Sequence, residues 1–154
     1  MKAGDQAPDF TLADQDGVPR TLSGLLSGGP VVLFFYPAAM TAGCTAESCH
    51  FRDLAAEFAE VGAQRVGISP DSVQRQHEFA ATHRFDYPLL SDGDGEVAAR
   101  FGVKRRFGPL PVKRHTFVID TDRTVIEVIR SEFAMNAHAD KALAVLRERA
   151  GRTA

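Results

Sequence analysis

The chain is short of cysteine, carries no excess charge of one sign and holds no long apolar run, and each shortage excludes a class of protein. Its 154 residues include two cysteines, too few for a closed four-ligand zinc site unless histidines join them. His50, His77, His83, His115 and His138 show no tight paired spacing near those cysteines, so no metal and no cofactor is expected. The formal net charge is −2. With no broad basic field, a phosphate-backbone binder is not expected, and nucleic acid is set aside as a partner. The longest purely apolar run, Val31 to Tyr36, is far too short to cross a bilayer. The first residues lead into no long apolar stretch, so no secretory signal is expected. The reading is cytoplasmic, a compartment in which thiols are kept reduced. Two cysteines there invite a chemical explanation before a structural one.

The chain also lacks internal repeats, low-complexity tracts and any Pro/Ser-rich linker that would divide it. A single domain over residues 1–154 is expected, a length that supports one sizeable core. Short apolar clusters around Asp14-Gln-Asp-Gly17 read as two short strands joined by a turn, an N-terminal β-hairpin. Val31 to Phe35, bounded by Gly28-Gly-Pro30 and Pro37, reads as a strand buried on both faces, as in a sheet covered by helices. Apolar residues at roughly helical spacing from Cys44 to Val61 predict one helix ending at Gly62. Further strands are expected at 64–69, 89–90, 115–120 and 124–129. Helices are expected through Val73 to Ala80, Val97 to Phe101 and Ala139 to Leu146, with an irregular basic segment from Lys104 to Arg114. This order gives an α/β fold, a mixed central sheet flanked by helices rather than a fully parallel one.

Cys44 falls where a buried strand hands over to a helix, on or just before the first helical turn. Unpaired N–H groups and the positive end of the helix dipole gather there, and both favour a thiolate over a thiol. A plain alternative is that Cys44 is a small buried core residue. Cys49 lies five residues on. On an ideal helix the two Cα atoms stand about 8.6 Å apart, beyond the roughly 7 Å that a disulfide tolerates. Either the two never bond, or the helix unwinds locally when they do. The second option describes a redox cycle: a thiolate displaces the distal oxygen of a hydroperoxide and becomes a sulfenic acid. The second thiol then condenses with it, and an external dithiol restores both. Such a site needs a fixed donor such as arginine. Patterning alone leaves Lys104, Arg105, Arg106, Lys113 and Arg114 as candidates.

The segment Pro37-Ala-Ala-Met-Thr41-Ala-Gly-Cys44 resembles the peroxiredoxin signature: a proline, three residues, Thr or Ser, two residues, then the peroxidatic cysteine. Its continuation to Asp53 is similar to the peroxiredoxin Q group, also called bacterioferritin comigratory proteins. Gly4 to Phe10, Val66 to Asp71, Pro88 to Asp92 and Thr116 to Asp120 fall where that group has similar segments, so nearly the whole chain is covered. The resemblance implies a thioredoxin-like fold, reduction of hydrogen peroxide and organic hydroperoxides, and thioredoxin or a similar dithiol as reductant. By position it implies that Cys44 attacks, that Cys49 resolves, and that Pro37 shields the site. Thr41 would hydrogen-bond both peroxide and sulfur, and Arg114 would be the catalytic arginine. Glu47 matches an acidic position of the family and orients that arginine, or is a helix-surface carboxylate; both readings stand.

Ala38, Ala39, Met40 and Ala42 stand where the family often has charged residues and a proline. The expectation is an apolar mouth that favours organic hydroperoxides. Because resolution occurs within one chain, a monomer is expected. A thiol–disulfide oxidoreductase remains an alternative, although its usual cysteines are one helical turn apart; a non-catalytic module that keeps the fold is another.

Overall fold

The computed structural model describes residues 1–153. Its centre is a five-stranded mixed sheet in the order β5-β4-β3-β6-β7. β3 (Val31–Phe35), β4 (Gln64–Ser69) and β5 (Leu89–Ser91) run parallel, while β6 (His115–Ile119) and β7 (Val125–Arg130) add antiparallel pairings. β1 (Thr11–Ala13) and β2 (Pro19–Thr21) pair separately as an antiparallel hairpin, with Thr11 opposite Thr21. The expected mixed sheet and N-terminal hairpin are both present.

The unbroken apolar run of β3 follows from its place in the middle of the sheet, with helices on both faces. Val31, Leu33 and Phe35 point to one side. There they join Leu22, Leu25 and Leu26 of α1 (Leu22–Leu26), and Val97 and Ala98 of α5 (Glu96–Arg100). Val32 and Phe34 point to the other side, with Cys44, Phe51, Phe58 and Phe79. That second layer is built from α2 (Ala42–Asp53), α3 (Ala55–Glu60), α4 (Val73–His83) and α6 (Met135–Thr153). The alternation of one strand's side chains thus sorts the protein into two cores. The rings of Phe34 and Phe51 stack at 4.1 Å between centroids, which fastens α2 to the sheet.

One expectation needs correction, and one element was not foreseen. The single helix expected from Cys44 to Gly62 starts at Ala42 and breaks at Leu54, which has φ −96° and ψ 21°. Arg65 Nη1 donates to the Phe51 carbonyl at 2.9 Å, taking the acceptor that a continuous helix would offer to Ala55. Hydrophobic periodicity survives such a break, so the pattern did not reveal it. The five-residue helix α1 was not expected, because it spans little more than one turn and leaves no period to read. Thr21 caps it, its hydroxyl oxygen accepting from Gly24 N–H at 2.9 Å.

Candidate active site

The chain leaves β3 at Phe35 and crosses the second core before entering α2, and each step of that crossing is held. Tyr36 is buried and donates its hydroxyl to Gln76 Oε1 at 2.6 Å. Pro37 is buried directly after it. Ala39 N–H donates to Asp71 Oδ2 at 2.7 Å, and Asp71 is paired in turn with Arg75 at 3.2 Å. Met40 has φ 67°, a left-handed conformation that costs energy in a residue with a Cβ. These clamps aim the first turn of α2 at the end of the sheet.

Cys44 is the third residue of α2 and is fully buried. Thr41 is the N-cap, yet its side chain makes no cap hydrogen bond. The first-turn N–H groups are therefore not taken by the cap side chain, and the positive end of the helix stays available to an anion. The Thr41 hydroxyl instead donates to Ala38 O at 2.7 Å. The expected bond from Thr41 to the Cys44 sulfur is thus not the arrangement of the resting site.

Arg114 comes from the other end of the chain, at the close of the irregular basic segment and next to β6. Its backbone N–H is held by Glu132 Oε1 at 3.1 Å, an oxygen that also accepts from Arg105 Nη2 at 2.9 Å. The guanidinium is only 6% exposed as part of its residue, and its Nη1 lies 3.3 Å from Cys44 Sγ and 3.2 Å from Glu47 Oε1. Of the five basic candidates, Arg114 is the one bonded to the sulfur. Gly43 packs close to it: a Cβ there would sit in van der Waals contact, 3.4 Å from Arg114 Nη2. Burial works against the charge of Arg114, but the charges of Cys44 and Glu47 hold its pKa above the ordinary value.

Glu47 is not a surface carboxylate. It is fully buried, one helical turn after Cys44 on the same inward face. Burial pushes its carboxyl from the ordinary 4.5 up to about 8, against the pull of Arg114. Beyond it lies His138 of α6, also fully buried. His138 Nε2 is 2.7 Å from Ser131 O and Nδ1 is 2.7 Å from the Thr116 hydroxyl. A carbonyl can only accept, so Nε2 carries a proton, and in the neutral ring Nδ1 then accepts from the Thr116 hydroxyl. Burial lowers the pKa of His138, and the nearby charge of Arg114 adds to that. Neither His138 nor Thr116 was singled out as a site residue from sequence. They lie 94 and 72 positions from Cys44, and no local motif ties them to it.

Cys49 lies apart from this cluster. It shares the intact helix α2 with Cys44, is half-buried, and both cysteines are free. Burial raises its pKa, with Arg52 opposing that shift. Of the four apolar residues expected at the mouth, Ala39 is turned into the core, while Met40 and Ala42 are exposed. Among the described residues no group of three or more His, Cys, Asp or Glu side chains could hold a metal ion.

Residues 3–128 match the AhpC/TSA family. This chain belongs to that family, the peroxiredoxins. Peroxidoxin BcpB from Mycobacterium tuberculosis, known from its crystal structure, is 71% identical and superposes with a TM-score of 0.92, covering 96% of this chain and 97% of that one. Chloroplastic peroxiredoxin Q of Sedum lineare is 42% identical over 93% of this chain and 76% of its own. A structure of the Xanthomonas campestris bacterioferritin comigratory protein, described for its alkyl peroxide reduction, is 34% identical. It aligns at a TM-score of 0.83 over 92% of both chains. The sheet, its helices and the N-terminal hairpin are therefore a thioredoxin-like peroxiredoxin fold. The peroxiredoxin is an enzyme that reduces hydroperoxides with electrons from thiols. Among the described residues no helix is long and apolar enough to cross a membrane.

Proposed function

We propose that Cys44 is the peroxidatic residue of a thiol peroxidase, that Cys49 resolves it within the same chain, and that Arg114 stabilises the sulfur and the transition state. The observation that carries this reading is the 3.3 Å contact between Arg114 Nη1 and Cys44 Sγ on the first turn of a helix. The thiolate attacks the distal oxygen of the hydroperoxide. Its electron pair forms the S–O bond, the O–O bond breaks, and the leaving alkoxide or hydroxide takes up a proton. The guanidinium and the first-turn N–H groups face the charge as it moves along this line, and being buried they need no reorganisation. Thr41 Oγ1 gives its own hydrogen to Ala38 O, which leaves its lone pairs to accept from the O–H of the peroxide. Pro37 closes the site from the side of β3.

Cys49 then displaces water from the sulfenic acid. The intact helix keeps the two sulfurs too far apart for this, so α2 opens first. A dithiol, thioredoxin or one like it, reduces the disulfide by exchange. Hydrogen peroxide and organic hydroperoxides are both substrates on this reading. The exposed Met40 at the mouth favours the organic ones, and a monomer completes the cycle unaided.

Stopped-flow measurement with the reduced protein tests the proposal. One equivalent of peroxide should be consumed rapidly, with a loss of two hydrogens in the mass of the wild type. Cys49→Ser should instead retain a trapped sulfenic acid. Undiminished consumption by Cys44→Ser would overturn the assignment.

A further inference from the structure

Among the described residues, Arg114 is the fixed cation of a buried cluster that contains two groups able to become anions. Its Nη1 touches both, Cys44 Sγ at 3.3 Å and Glu47 Oε1 at 3.2 Å. All three are closed, or nearly closed, to bulk solvent: Cys44 and Glu47 are 0% exposed and Arg114 is 6% exposed. A guanidinium does not lose its proton in such a place. With both Cys44 and Glu47 ionised, the cluster would hold one negative charge without a counter-ion, an expensive state in a dry interior.

Among the described residues, the charged groups acting on Glu47 are Arg114 and Glu132, and they offer no second cation. His138 on α6 is satisfied as a neutral ring, giving its Nε2 proton to Ser131 O at 2.7 Å and taking one at Nδ1 from Thr116 of β6 at 2.7 Å. Its Nε2 is 3.5 Å from Glu47 Oε2, too long for a hydrogen bond. That oxygen is buried and has no partner. Glu132, in the turn between β7 and α6, adds negative charge and so opposes a second anion. An unpartnered oxygen is far less costly on a neutral carboxyl than on a carboxylate.

Building on the peroxidase reading, we propose that Glu47 stores a proton while Cys44 is a thiolate and releases it when the sulfur is oxidised, so that Arg114 always faces one anion. Once Cys44 has become S–OH its charge is gone, and Arg114 would be left uncompensated. Glu47 then ionises and takes over as counter-ion. When α2 opens for the disulfide, Glu47 meets water, which drives the proton off in the same direction. The elevated pKa of the carboxyl in the reduced site agrees with this sequence.

The atoms balance. Thiolate, protonated Glu47 and ROOH give sulfenic acid, ionised Glu47 and ROH. The sulfur is oxidised by two electrons, the O–O bond is reduced, and the alkoxide acquires one proton for the one that Glu47 gives up. Condensation of Cys49–SH with the sulfenic acid then forms the S–S bond and water, with no further proton exchanged. Glu47 acts through Arg114 and is therefore a positioning residue with a proton store.

The test is a proton count with a pH indicator in weakly buffered neutral solution. One equivalent of hydrogen peroxide is added to the reduced full-length protein, and disulfide is measured in parallel by mass. Wild type should take up close to no protons per disulfide, and Glu47→Gln about one. Equal counts in the two proteins overturn the proposal, as does uptake of a full proton by wild type should the variant fail to fold. Infrared difference spectra give an independent readout. The carbonyl stretch of a protonated carboxyl should bleach on oxidation of wild type and be missing from Glu47→Gln; no bleach in wild type overturns it. If peroxide is not consumed and no disulfide forms, the peroxidase reading itself has failed, and the proton store falls with it.

Discussion

Replacing Tyr87 by Phe should speed disulfide formation about fivefold, from one hydrogen bond net worth about 1 kcal/mol. The Tyr87 hydroxyl donates to the Ser48 carbonyl at 2.6 Å in a buried setting. That carbonyl belongs to the peptide immediately before Cys49, which must turn if the two sulfurs are to meet. Phe retains the aromatic packing of the site, where ring 87 lies 5.3 Å from Phe85 and 5.8 Å from Phe34. Other fasteners remain, namely Arg65 on the Phe51 carbonyl at 2.9 Å and Arg52 on the His83 carbonyl at 2.8 Å. The loss is therefore partial, and the opened form gains population by that same factor. Rapid quenching with an alkylating reagent, followed by mass analysis, reads the rate at which sulfenic acid becomes disulfide. The shorter life of the sulfenic acid should also lower the yield of sulfinic acid at high peroxide. A control on the far core separates this from general destabilisation. Asp92 accepts from Val97 N–H and Ala98 N–H at 3.2 and 2.9 Å, and Asp92→Ala should leave the resolution rate alone. An unchanged or slower resolution step in Tyr87→Phe would show that the Ser48 peptide does not move, and the opening of α2 would have to be located elsewhere.

Arg114→Met should slow the reaction with peroxide by about a hundredfold or more, the usual effect of deleting one preorganised donor, and stopped-flow rates check it. Asp92→Ala should cost about 1–2 kcal/mol of stability in urea through loss of its cap on α5. The folded reduced protein keeps a proton on Glu47 that the unfolded chain loses above its ordinary value. Stability from this group is therefore full below about pH 4.5 and is lost as pH rises to about 8. At 1.36 kcal/mol per unit the whole span is on the order of 5 kcal/mol. His115, pushed down to about 4 by burial, and His138 act in the opposite sense at acidic pH. The measurement is therefore the difference between wild type and Glu47→Gln in urea titrations across that range. A flat difference would refute it. Met40→Glu should lower the catalytic efficiency for a bulky alkyl hydroperoxide more than that for hydrogen peroxide. Met40 is 43% exposed four residues before Cys44, and equal losses would remove it as a specificity determinant.

Much of this was legible along the chain. The run Val31 to Phe35 read as a strand covered on both faces, and the central strands and the helices α4, α5 and α6 fell where periodicity and turn residues placed them. The spacing from Pro37 through Thr41 and Cys44 to Cys49 is a local pattern, and local patterns survive in sequence. What distance along the chain conceals is different in kind. Five basic residues between Lys104 and Arg114 were equivalent by pattern, and only the pairing of β6 beside β3 brought Arg114 over the sulfur. Glu47 left two readings open, a partner of the arginine or a helix-surface carboxylate, and its burial beneath α6 excludes the second. His138 and Thr116 acquire a role solely because two remote elements meet there. Hydrophobic and turn signals act between near neighbours and are written in order, whereas the burial and pairing of charges depend on which surfaces the finished fold puts face to face.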